Sequence, residues 1–230
     1  MSGALAIDCT FGGFSAAVAG PGGIIDEHHP DVHASEGLID CVDRLLRDAG
    51  LELAGLDFLA CGVGPGNFTG IRTACGTVQG FGFVHKLPAA GIVSTLALAR
   101  ASGCQRRCAV ACRAHRGHCY LASYEAEDGE LRERDAPALH ALDGLPPLEG
   151  DWELCLHGRM KDERKAFVAA VTGAATLADC HEGSLAPTVL ELGRQERERD
   201  ELVDVRALKP LYVRNKIALT KEEHRAGMRL

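Results

Sequence analysis

The order in which the hydrophobic period changes over the first hundred residues limits this chain more than any other feature. Three short apolar runs, at 4–7, 14–19 and 24–29, are separated by Gly12-Gly13 and Pro21-Gly22-Gly23, which predicts three strands joined by tight turns. The period then lengthens. Leu38, Ile39, Val42, Leu45, Leu46 and Ala49 share one face at helical spacing, predicting a helix over 34–49 with Gly50 as its stop. A strand at 58–63, a helix at 70–85, a strand at 89–93 and a helix at 95–101 follow. Strand-strand-strand-helix-strand-helix is the order of a ribonuclease-H-like unit, an α/β arrangement in which helices cover a sheet.

The second half is patterned less sharply. Residues 107–113 and 118–124 read as an antiparallel pair, 139–150 as a Pro/Gly/Asp-rich linker between lobes, 152–157 as a strand and 161–171 as a helix. Residues 188–199 read as a charged, exposed helix, and the tail from Pro210 opens with strand character before turning polar. The division predicted is an N-terminal lobe over 1–103 and a smaller, degenerate lobe over 104–230.

Composition removes several classes. A net charge of -7 without a long basic block argues against a free-standing nucleic-acid binder. The absence of a long apolar run and of a basic start before Asp8 predicts a cytoplasmic protein with no membrane span. The ten cysteines are spread through a large chain, where a reducing compartment makes most of them buried thiols. His29 and His33 stand four apart, but Pro30 between them opposes the helix that would bring them together on a metal. In a strand, Cys108 and Cys112 would lie roughly 13 Å apart, too far to share an ion.

The loop Gly62-Val63-Gly64-Pro65-Gly66-Asn67-Phe68-Thr69-Gly70-Ile71-Arg72 follows a strand and opens a helix. Backbone N–H groups at a helix start can hold an anion, yet this loop lacks the Lys of a phosphate loop, and Asn67 stands where a third Gly belongs. It reads either as a nucleotide site or as a tight turn that needs glycine for close approach. The helix after it carries Gly76, Gly80 and Gly82 in its interior, each unfavourable by about 0.5–1 kcal/mol relative to Ala. Close packing of another helix, from this chain or a partner, would offset that.

Leu5-Ala6-Ile7-Asp8-Cys9-Thr10, His33-Ala34-Ser35-Glu36, the Gly64–Arg72 string, Gly91-Ile92-Val93-Ser94-Thr95-Leu96 and Lys209-Pro210-Leu211-Tyr212-Val213-Arg214-Asn215 resemble, in order and spacing, the TsaB (YeaZ-like) family. That family is the dimerisation subunit of the bacterial machinery for threonylcarbamoyladenosine in tRNA. Its motif positions fall here on Pro65, Asn67, Phe68, Gly70, Arg72, Tyr212 and Arg214. Asn67 replaces a usual Ser, and Arg113 and His118 stand where the family carries acidic residues.

The resemblance implies an actin-like, Hsp70-like ATPase fold of two ribonuclease-H-like lobes. It implies a partner homologous to the catalytic subunit TsaD, the ATPase TsaE as third member, a homodimer when alone, and tRNA met only through the complex. The partner face expected is Leu38, Val42, Ala74, Gly76, Gly80 and Phe83. A degenerate nucleotide site would comprise Asp8, Thr10, Gly64, Gly66 and Thr69. No cofactor, metal or catalytic residue is expected. Gly reaches the first turn only at Gly12, and 94–99 lacks the paired histidines by which the catalytic homologue holds a metal. The competing readings are an ATP-binding enzyme of the actin-like class and, less favoured, a metalloprotease-like protein.

Overall fold

The computed structural model describes residues 3–115, 117–178 and 181–213. Strands β1 (Ala4–Asp8), β2 (Phe14–Gly20) and β3 (Gly23–His29) form the meander. Helix α1 (Ala34–Asp48) crosses to β4 (Phe58–Gly64), α2 (Phe68–His85) to β5 (Ala89–Val93), and α3 (Ser94–Ala101) leads out. The sheet order is β3-β2-β1-β4-β5, with β1 antiparallel to β2 and parallel to β4. Gly50 has a φ of +66°, the left-handed conformation expected where α1 stops.

The second half repeats this plan. Strands β6 (Cys108–Arg113), β7 (His118–Glu127), β8 (Glu130–Ala141), β9 (Trp152–Leu156) and β10 (Ala175–Leu177) pair in the order β10-β9-β6-β7-β8. Strand β6 is antiparallel to β7 and parallel to β9, as β1 is to β2 and β4. Where α1 stands in the first sheet there is only a loop between β8 and β9. The short α4 (Arg164–Ala170) takes the place of α2, and α5 (Ala186–Glu198) ends the repeat.

Period-2 alternation sorts the first sheet's two faces. Leu5 and Ile7 join Leu38, Val42, Leu45, Ile71, Ala74 and Val78 beneath α1 and α2. Ala4, Ala6, Ala17 and Ala19 face the other way and meet Ala186, Val189, Leu190 and Leu192 of α5. These alanines let the helix come close: a Cβ on Gly193 would stand 2.9 Å from that of Ala60 and 3.0 Å from the Phe58 ring. Helix α3 lies between the sheets, with Ala97 packed on the first and Leu98 and Ala99 on the second. Its Thr95 hydroxyl meets that of Tyr124 at 2.7 Å in the buried seam.

Several expectations need correction. Residues 139–141 complete β8, a strand the sequence pattern hid, so 139–150 lies inside the second half and links no lobes. Helix α5 buries one face against the first sheet rather than standing exposed. Ile39 is 54% exposed despite its place in the apolar period of α1. The tail at 210–213 forms no regular strand and is held by Leu211 N–H donating to Val63 O at 2.8 Å. Seven cysteines (9, 41, 61, 75, 108, 112 and 119) are buried free thiols, while the sulfurs of Cys104 and Cys155 touch as a disulfide. No helix among the described residues is long and apolar enough to cross a membrane.

Candidate functional site

The Gly64 loop is built for close approach to β1. Asn67 N–H donates to Thr10 O at 2.7 Å. A Cβ on Gly66 would collide with Thr10, and one on Gly70 with Cys9 O. The Asn67 side chain accepts the Gly70 N–H at 2.9 Å, so the helix caps its own first turn. Of the two readings of this loop, these contacts account for its glycines as a tight turn.

Asp8 lies at the end of β1, against Gly62 of β4, where any side chain would overlap its carboxylate. Thr10 satisfies that carboxylate locally: its N–H donates at 3.1 Å and its hydroxyl at 2.7 Å. The Thr10 hydroxyl also meets Ser94 Oγ at 2.8 Å, and Ser94 Oγ accepts the Gly64 N–H at 3.0 Å. Burial raises the Asp8 pKa, and the Thr10 hydrogen bonds oppose that without cancelling it. Ser94 therefore joins the ends of three strands, a role the sequence did not mark.

The five residues expected to form a nucleotide site do not share a pocket. Asp8 lines a cleft cavity of about 310 Å³ with Phe11, Gly12, Ser15, His28, His157 and Arg159. Gly66 and Thr69 line a different cavity with Tyr120, Leu211 and Tyr212, and Thr10 is wholly buried. In the cleft, the Phe11 ring packs on His157 with centroids 4.5 Å apart. The Arg159 guanidinium lies over Gly12, so close that a Cβ there would stand 2.5 Å from it. Side chains of the chain itself thus crowd the first turn, where an actin-like ATPase brings backbone amides to phosphate. Arg113 donates to Arg159 O at 2.8 Å and to Glu163 at 2.6 Å, so it braces the Arg159 turn.

The second feature is the outward face of α2. Gly76 and Gly80 are exposed, and a Cβ built on either meets nothing within 4 Å among the described residues. Beyond them Phe83 is 69% and Val84 71% exposed. Gly82 differs: its Cβ would collide with Val205, so that glycine serves internal packing. Leu38, Val42 and Ala74, expected on the same partner face, are 1%, 1% and 0% exposed. They fill the core beneath the helices and cannot reach a second protein, a correction to the predicted surface.

At the start of α2 the motif residues form one cluster. The Arg72 guanidinium lies 3.8 Å from the Phe68 ring centroid and donates through Nε to the Tyr212 hydroxyl at 2.6 Å. Pro65 O faces Cys112 Sγ at 4.0 Å. Arg214 lies outside the described residues.

Two sheets of one topology, the α3 seam between them and a cleft at their strand ends define an α/β protein of the actin-like, ribonuclease-H-like class. The chain belongs to the family of TsaD, tRNA N6-adenosine threonylcarbamoyltransferase, whose family model matches residues 15–153, and within it to the TsaB/YeaZ type. It is 26% identical over 203 residues to the tRNA threonylcarbamoyladenosine biosynthesis protein TsaB of Escherichia coli, covering 81% of this chain and 83% of that one. The TsaB of Haemophilus influenzae is 40% identical over 65 residues, 28% of each chain. A solved Pseudomonas aeruginosa protein, described as similar to peptidase YeaZ, superposes with a TM-score of 0.79 at 27% identity, over 93% of this chain and 100% of that one.

Proposed function

We propose that this chain is a non-catalytic, cytoplasmic subunit that pairs with a TsaD-type homologue, with a TsaE-type ATPase as third member, to support threonylcarbamoyl transfer to adenosine in tRNA. It meets tRNA only through that complex. The observation that carries the pairing is the bare face over Gly76 and Gly80. Both glycines disfavour the helix they sit in, and nothing among the described residues packs on them to offset it. A partner helix seated there, with Phe83 at its edge, supplies the missing contact. Left uncovered, the same face favours a homodimer. The surface belongs to the N-terminal lobe, read as 1–103, which α5 and the segment at 203–211 rejoin by packing on the first sheet; the rest of 104–230 is the degenerate lobe.

The test is co-purification with the TsaD homologue. Gly76→Leu and Gly80→Leu should each abolish it while the isolated chain keeps its fold by circular dichroism. Retained binding by both variants sinks the interface.

A further inference from the structure

At the outer edge of the first sheet, remote from the glycine face of α2, three unlike metal-ligating groups converge. Glu27 and His29 alternate along β3, the edge strand, so both side chains point to the same side of the sheet. There they meet Cys41 of α1. One ligand atom of each, a Glu27 oxygen, a His29 nitrogen and Cys41 Sγ, lie within 4.8 Å of one another. The His29 ring is stacked on Phe14 with centroids 4.8 Å apart, and that contact aims Nε2 at Glu27 Oε2, 2.8 Å away. Cys41 is buried, while the His29 and Glu27 side chains keep 32% and 26% exposure, so an ion has a way in from solvent.

We propose that Glu27, His29 and Cys41 form a binding site for a zinc-class divalent ion. The donor set of one thiolate, one imidazole and one carboxylate suits a borderline-soft ion, and the exposed side leaves a fourth position for water. Tetrahedral ligands on bonds of about 2.0–2.3 Å stand about 3.3–3.8 Å apart, so an ion must part Glu27 and His29 from their 2.8 Å contact and bring the widest pair in from no more than 4.8 Å.

Arg44 is the built-in competitor. Its Nε and Nη2 donate to the two Glu27 oxygens at 2.7 and 2.6 Å, the same oxygens an ion needs. Ion binding therefore exchanges Arg44 and the thiol proton for the metal. The Arg44 side chain is 46% exposed and free to swing outward.

The experiment is a cobalt(II) titration of the untagged, reduced full chain, read by absorption. One equivalent should produce the thiolate-to-cobalt charge-transfer band and the visible bands of a four-coordinate site. Cys41→Ser should remove the charge-transfer band, and His29→Ala should weaken binding at least tenfold. Arg44→Gln should tighten it about tenfold, a gain no merely structural role of these residues produces. Absence of the band in the wild-type chain, an equal band in Cys41→Ser, or unchanged affinity in Arg44→Gln overturns the site. If Cys41→Ser does not fold, the opposite shifts in His29→Ala and Arg44→Gln decide the matter, since both residues are part-exposed.

Discussion

Arg72 and Tyr212, 140 positions apart in sequence, share a 2.6 Å hydrogen bond from guanidinium Nε to phenol oxygen. The bond fastens the tail across the start of α2, with Phe68 stacked beneath the guanidinium. Tyr212→Phe should lower stability by about 0.5–1 kcal/mol, since the bond is exposed and worth no more than that. Urea denaturation measures the loss. Repeating it in an Arg72→Ala background should show no further effect of Tyr212→Phe, because the partner is already gone.

The glycines of α2 should divide into two groups. Gly76→Ala and Gly80→Ala meet open space and should each raise stability by about 0.5–1 kcal/mol. Gly82→Ala drives a methyl group into Val205 and should lower it by about 1–3 kcal/mol. Thermal melts of the three variants read this directly. A loss at Gly76 equal to that at Gly82 would mean the outer face is packed in solution.

His157 should make the protein acid-sensitive. Burial first, and then the neighbouring Arg159 and His181, lower its pKa to about 4 from 6.5. Between those values the unfolded chain binds the proton and the native chain does not. Stability should fall as pH drops from about 6.5 to about 4, by up to about 3 kcal/mol. His157→Gln should flatten that part of the profile, measured as urea midpoints at pH 7 and pH 4.5; an unchanged slope counts against this origin.

Glu196 on α5 should act in the opposite sense. Burial, and then the nearby Glu201, raise its pKa to about 7 from 4.5. The native chain holds the proton longer than the unfolded one, so the contribution is present below about pH 4.5 and is lost as pH rises through 7. Glu196→Gln should gain on the order of 1–2 kcal/mol at pH 8 and little at pH 4.5. Paired denaturation curves at the two pH values suffice.

Calorimetry with magnesium ATP should show no micromolar binding to the chain alone. Phe11 and Arg159 occupy the turn where phosphates would approach, and Thr10 takes both Asp8 oxygens. Micromolar binding would favour the ATP-dependent alternative.

The first sheet was legible because its strands and helices differ cleanly in period. Strand β8 was not: as an edge strand it carries Arg132, Glu133, Arg134 and Asp135 in solvent and shows no apolar alternation there. Helix α5 looked exposed because its partners on the sheet are alanines, which give no sequence hint of a cover. Periodicity places Leu38, Val42 and Ala74 on an apolar face but does not say whether the chain or a partner covers it. The same limit hid the cleft, where Phe11 from a turn in the first half meets His157 and Arg159 from the second. Ten cysteines invited attention to the 104–119 region, while the grouping of Cys41 with Glu27 and His29 depends on how α1 lies over β3.

Most of the alanine face of the first sheet is covered by α5, at residues 186–198, with Ala97 of α3 beside it. On the ribosome, the half that emerges first must wait for α5 before its underside is shielded from water. A fragment released early in translation would leave that underside bare, an adhesive surface for aggregation or for chaperones.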